Sequence, residues 1–434
     1  MAVWTAPETP TSDRVAQAHR SRTGNEPVHT ADAPGTFIVA GENSDHFGGI
    51  TIAGLAGVRA AAAVSPRDDS TITVHCDFAG VTVDQTTDCS RIAELAEQGG
   101  SEAAEAAEAI GSIKSTVSTE SAVSADGSSL SQSTLAERFG GLVHTLIGRQ
   151  MLSRDTAGMD ITVISDIPLG AGLGALHAAD AAIALTLLGG DDESDAAPLR
   201  TRLADIASQS ARTFSHLPVL RARHSAALRG REGSVSVIDY ADESLTQAPH
   251  PAKAGVRILS VAPSHGAPFL DEGRAVDNGR QFIDDACANF GVASLRQLPN
   301  AADRVVEWVD ARHHVYGTDS APSLETARAW VDFGEAETEL SANAAKALRS
   351  MRADDFFRVI GEPERTPGLP TPDQLVQLLQ LRGARAARPA AAGMSQAALA
   401  YIPDTAADNA IADLTADGFA VVEVTPGAPA RVTS

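Results

Sequence analysis

Residues 159–190 read MDITVISDIPLGAGLGALHAADAAIALTLLGG. Ile161, Val163 and Ser165 alternate with Thr162 and Ile164, a β-branched run that predicts a strand closed by Pro168. Gly170, Gly172 and Gly174 follow at every second position and predict a tight loop. Leu176, Ala179, Ile183 and Leu187 then recur at helical spacing, with Gly189-Gly190 as the stop. A strand, a glycine loop and a helix start present bare backbone N–H groups and a positive helix end, which suit an anion. The same glycines would also serve a plain strand-to-helix turn. The Lys-Ser/Thr pair of a Walker A loop is missing, and the dinucleotide G-x-x-G spacing does not occur.

A chain of 434 residues favours two domains over one. Its hydrophobic fraction of 43% is ample for packed cores, and with only 4% aromatics those cores must be aliphatic and alanine-rich. The net charge of −22 argues against nucleic acid or an anionic membrane as partner, since both require a basic surface. Cys76, Cys89 and Cys287 are too few and too scattered for a disulfide framework or a zinc site. No apolar run reaches signal-peptide or membrane-spanning length. Together these features predict a soluble, cytoplasmic protein.

Along the chain, residues 1–12 are expected to be mobile and 13–22 helical. Strands are expected at 37–40, 58–64 and 71–78, the last with Ile72, Val74, Cys76 and Phe78 on one face. Residues 94–133, rich in Ala, Glu and Ser, read as a partly helical, partly disordered insertion. Helices are expected at 135–151 and 199–214, and a strand near Val235 to Asp239. A second domain begins near Gln247, with a strand at 256–261, a helix at 271–290 and further helices over 301–380. Trp308 and Trp330 read there as packing residues. Phe419 to Val424 closes the chain as a strand.

The string Pro168-Leu169-Gly170-Ala171-Gly172-Leu173 resembles the phosphate loop of the GHMP small-molecule kinases, and within them the galactokinases, where P-x-G-A-G-L is followed by three serines. Those serine positions are Gly174, Ala175 and Leu176 here. Upstream, Ala33, Pro34, Gly35, Gly41, Glu42, Asp45, Gly48 and Gly49 match the galactokinase signature A-P-G-R-x-N-x-I-G-E-H-T-D-Y-x-G-G. Downstream, Ala387, Arg388 and Gly393 match the third motif, G-A-R-M-T-G-G-G-F-G-G, whose other glycine positions carry Ala391, Ala392, Ser395 and Gln396. The resemblance runs through nearly the whole chain in order, apart from 94–133.

The resemblance implies an α+β, two-lobed GHMP-kinase-like fold with the ligand cleft between the lobes, residues 1–246 forming one lobe and 247–434 the other. It implies sugar contacts from Glu42 and Asp45, and nucleotide contacts from Gly170, Ala171, Gly172, Leu173 and Gly174. It also implies what has gone. The family arginine is Thr36, and the aspartate beside the attacking hydroxyl falls on Arg223, in a stretch (212–231) with no acidic residue. Gly174, Ala175 and Leu176 offer magnesium no hydroxyl, and no metal site is expected. Losing a positioned base costs about 10²–10⁴ in rate, and losing a fixed cation about 10²–10³. The expectation is therefore a galactokinase-like protein with a sugar or nucleotide pocket used for binding or regulation. The alternative is an active kinase for another small molecule, using ATP and Mg²⁺, with acids recruited from His177, Asp180 or Asp239. For His177 and Asp180 the competing expectation is an ordinary helix surface.

Overall fold

The computed structural model describes residues 4, 7–98, 135–189, 195–215, 217, 219–263, 273–361, 366–369, 371–391 and 395–433. The 94–133 insertion falls almost wholly outside these residues, as do Gly190, Ala392 and Gly393.

Two sheets carry the described strands. The larger is built around β2 (Ile50–Arg67), long enough to pair with β1 (Thr30–Ala40) and β5 (Gly158–Ser165) and, at its other end, with β6 (Ser234–Asp239). β3 (Thr71–Phe78) lies parallel to β5, and β4 (Val81–Asp88) closes that edge. β7 (Ser244–Pro249) pairs with β6, and β12 (Arg431–Val432) returns from the end of the chain to pair with β1. The smaller sheet has the order β11 (Ala420–Glu423), β8 (Val256–Ala262), β10 (Ala398–Pro403), β9 (Ala386–Pro389), all antiparallel. A boundary at 246/247 therefore falls inside strand β7, and the last strand belongs to the sheet formed by the first half.

Periodicity accounts for most of these elements. In β3 the residues Ile72, Val74, Cys76 and Phe78 are buried and their neighbours are not, as alternation demands. β5 is buried along its whole length, because it is central and covered on both faces. β1 starts earlier than its apolar run, taking in Ala33-Pro34-Gly35-Thr36. Its register shifts between Pro34 and Gly35, the kind of irregularity that tolerates a residue without an N–H. The N-terminal stretch is not wholly loose: Trp4 donates its Nε1–H to the Asp166 carbonyl at 2.9 Å.

The helices lie against the sheets. α1 (Thr11–Thr23) packs on β2 and β5, and residues 89–98 (α2) are helical. α3 (Leu135–Gly148), α4 (Ala175–Leu188), α5 (Ala197–Phe214) and α6 (Arg221–Arg229) form a layer whose centre is α4. α4 is buried on every side from Ala175 to Thr186, which is why His177 and Asp180 are interior groups and not a helix surface. A second cluster joins Phe47 to α7 (Gly273–Phe290), α8 (Ala301–Tyr316) and α9 (Leu324–Arg349). Trp330 is buried in it and Trp308 stacks on Phe282. α10 (Ala353–Ile360), α11 (Asp373–Leu381) and α12 (Asp404–Ala416) complete the described helices.

Candidate functional site

The glycine loop runs from the end of β5 to the start of α4. Gly170, Gly172 and Gly174 have φ of 80°, 68° and 68°, a region open to glycine and strained for other residues. A Cβ at Gly172 would stand 2.5 Å from that of Ala390. The carbonyls from Gly170 to Leu173 are each held by the protein. Ser395 Oγ donates to Gly170 O at 2.6 Å, and Ser260 Oγ donates to Ala171 O at 2.6 Å. Arg223 Nη2 donates to Gly172 O at 2.9 Å, and the Thr36 N–H donates to Leu173 O at 2.8 Å. The loop is thus clamped from β1, α6 and the smaller sheet together.

Arg223 is 1% exposed. Its Nη1 donates to the Thr36 carbonyl and, at 3.2 Å, lies against Thr36 Oγ1. Its Nη2 stands 3.8 Å from Glu42 Oε1, and its Nε has no hydrogen-bond partner. Burial pushes its pKa down and Glu42 works against that shift, and guanidinium remains charged regardless. The motif match leaves position 36 without a cation, but a guanidinium does lie against Thr36, supplied from α6 in place of β1. The cavity between the loop, Arg223, Arg138 and His177 has a volume of about 40 Å³. That is room for a few waters, and the cavity beside Asn43 and Arg280 is smaller still at about 10 Å³, against roughly 300–1,000 Å³ for a small-molecule pocket.

Beneath the loop, Asp180 faces Arg138 through two bonds of 3.0 and 2.6 Å and His224 Nε2 at 2.9 Å. His224 Nδ1 continues to Ser208 Oγ at 2.9 Å. Burial opposes ionisation of Asp180, but Arg138 and His224 hold its carboxyl below the usual range. His177 accepts the Leu220 N–H on Nε2 at 3.3 Å, and burial pushes its pKa well down, so it is a neutral ring. Neither group is available as an acid or base at the loop. Asp239 is elsewhere, paired with Arg296 beside Gly48 at 2.7 Å.

The 41–48 loop leaves β1 through Gly41, whose φ of 80° no side chain could share, since a Cβ would collide with the Ile50 carbonyl. Thr51 and Ser44 both donate hydroxyls to Gly41 O at 2.9 Å. Glu42 points to Arg223. Asp45 is 2% exposed, accepting from Arg221 Nε at 3.2 Å, with Arg280 Nη2 at 3.6 Å. Burial disfavours its charge, yet Arg280, His46 and Arg221 together pull its carboxyl well below the ordinary range. Arg280 Nη2 also donates to Asn43 Oδ1 at 3.4 Å, and Arg221 lies over the Tyr240 ring.

As at Arg223 Nε beside the glycine loop, polar atoms are left over here. Asn43 Nδ2, Arg280 Nε and Nη1, Asp45 Oδ1 and the Tyr240 hydroxyl are buried and without a hydrogen-bond partner. Arg221 and Arg280 were not read from the sequence. Arg221 stands two residues before Arg223, and that offset is the one signal the sequence offers for either. Residues 174–176 of the loop bear no hydroxyl or carboxylate. No group of three His, Cys, Asp or Glu side chains among the described residues is arranged to hold a metal. No described helix is long and apolar enough to cross a membrane.

Neither a protein-family model nor a curated relative matches the chain. Solved structures do. Lactococcus lactis galactokinase, crystallised with galactose, is 14% identical and superimposes with a TM-score of 0.67 over 96% of this chain and 99% of that one. Methanococcus jannaschii mevalonate kinase is 10% identical, with a TM-score of 0.52 over 94% and 99%. L. major mevalonate kinase in complex with R-mevalonate is 11% identical, with a TM-score of 0.50 over 93% and 99%. At such identities the likeness is one of fold: the chain folds as the GHMP small-molecule kinases do.

Proposed function

We propose that the chain is a galactokinase-like binding protein that holds a neutral, polyhydroxylated ligand of sugar size and does not transfer phosphate to it. The observation that carries this reading is the mixed set of buried atoms around Asp45 that lack a hydrogen bond, with Asp45 Oδ1 standing 3.6 Å from Arg280 Nη2 and Arg280 Nη1 3.5 Å from Asp277. Asn43 Nδ2 and Arg280 offer donors, while Asp45 Oδ1 offers an acceptor. A hydroxyl group both donates and accepts, so a polyol answers both kinds at once. Buried polar atoms without partners are costly, and a ligand that supplies the partners recovers that cost. Glu42 and Asp45 remain the proposed sugar contacts, joined by Asn43 and Arg280.

Against phosphoryl transfer stands the chemistry at Arg223. Transfer needs a carboxylate to take or orient the hydroxyl proton and a metal to neutralise the phosphates. A guanidinium fills the first position, and residues 174–176 supply nothing for the second. The backbone of residues 170–174 keeps the amides and helix end that suit an anion, so weak nucleotide affinity at Gly170, Ala171, Gly172, Leu173 and Gly174 is compatible with this reading.

A second reading, transfer of phosphate to another small molecule with ATP and Mg²⁺, is favoured by one observation: the cation expected against position 36 is present, carried by Arg223. A coupled assay of ADP release over a panel of sugars, with thermal shift on the same panel, separates the two. Binding without turnover is expected: galactose or a related polyol raises the melting temperature and no ADP forms. Steady ADP release dependent on one sugar would replace the first reading by the second.

A further inference from the structure

Arg388, which matches the third motif, does not turn toward the glycine loop. It is 5% exposed on β9, and its Nη2 lies 3.3 Å from both carboxylate oxygens of Glu337 on α9, itself 1% exposed. Its Nη1 donates to the Ile360 carbonyl at 3.3 Å. Glu337 Oε2 in turn accepts the Gly41 N–H at 2.8 Å. That amide opens the loop that carries Glu42 and Asp45. With the Gly41 carbonyl already held by Thr51 and Ser44, Glu337 fixes the other polar group of the same residue.

We propose that Glu337 is a positioning residue for the polyol site, and that Arg388 holds it in place. It would set the left-handed turn at Gly41 from which Glu42 and Asp45 project. This role rests on the polyol reading. A buried carboxylate accepting a backbone N–H makes a charge-assisted bond, stronger and more directional than a neutral one. Arg388 pairs with that carboxylate and orients it. The same strand runs on to Ala390, which abuts Gly172. The β9 segment therefore reaches the glycine loop through Ala390, and the 41–48 loop through Arg388 and the Glu337 carboxylate of α9.

Removing one member of a buried pair strands the other, so single variants confuse positioning with stability. Two double variants avoid this. E337M/R388M discharges the pair and leaves the Gly41 amide with no acceptor. E337Q/R388M discharges it equally but keeps an amide oxygen for Gly41. Both are expected to melt close to each other. Hydrogen exchange over 41–45 is expected to rise about tenfold or more in the Met variant, and to stay near wild type in the Gln variant. Galactose affinity, by calorimetry, is expected to fall about tenfold in the Met variant only. Equal protection of 41–45 in the two variants would overturn the proposal. Should the wild-type chain bind no galactose, the polyol reading fails, while the exchange difference still decides whether Glu337 positions the loop.

Discussion

The glycine loop and the 41–48 loop face each other across Arg223, and they are finished to different degrees. At the glycine loop, serines 395 and 260, Arg223 and the Thr36 amide occupy all the carbonyls from Gly170 to Leu173. At the other loop, Asn43, Asp45 and Arg280 keep buried polar atoms without partners. The carbonyls of one loop are held by the protein itself; on the reading proposed above, a ligand would complete the other. Phosphates are cradled by backbone N–H groups, so the held carbonyls leave that capacity of the glycine loop intact.

The strongest way to break the comparison is at the backbone. Gly41→Ala forces a Cβ onto the Ile50 carbonyl and near Ser341 Oγ. A loss of about 3–5 kcal/mol is expected in urea unfolding, the size reserved for strained backbone in a packed site.

Arg223→Met and Arg280→Met sharpen the contrast. The first strands Gly172 O, Thr36 O and Glu42 together and should cost about 3 kcal/mol. Arg280→Met removes the largest opposite charge facing buried Asp45 and should cost a similar amount. What separates the two is binding: the thermal shift with polyols disappears in Arg280→Met. A retained shift would remove the distinction between the two loops.

Acid titration tests the open loop by charge. Asp45 has its folded pKa below the unfolded value, because Arg280, His46 and Arg221 outweigh burial. Its stabilisation is therefore full above the unfolded carboxyl range near ~3.9. It is lost as pH falls through the lower folded value. Denaturation midpoints measured from pH 7 down into the acid range should fall less steeply for Asp45→Asn than for wild type.

The smallest effects belong to the closed loop. Ser395→Ala and Ser260→Ala each remove one hydrogen bond to a loop carbonyl. Each is expected to cost about 1 kcal/mol in chemical denaturation, with no change in polyol response.

The fold was legible where local chemistry decides it. β5, the glycine loop and α4 follow from β-branched alternation, three glycines and a helical apolar repeat, all within one stretch. β3 follows equally from its alternation. β1 was less so, since Pro34 and Gly35 argue against a strand until a register shift absorbs them. The site was legible only in part. Motif spacing points to Glu42 and Asp45, the proposed sugar contacts, and their loop does meet Arg223. Yet what surrounds them comes from far along the chain: Arg221 lies 176 residues from Asp45, and Glu337 lies 296 from Gly41. No periodicity encodes such pairings. The same limit explains Asp180: its spacing on α4 suits a surface, and only the layers packed on every side of that helix, with Arg138 among them, make it interior.

Isothermal titration calorimetry on the purified chain addresses the central point in one cell, with galactose added first and ATP with Mg²⁺ afterwards. A saturable heat on adding galactose, followed by no continuing heat flow after ATP, is the expected record. A sustained heat flow that scales with protein concentration and stops when galactose is spent would contradict binding without transfer, and with it the roles assigned to Arg223 and the open loop.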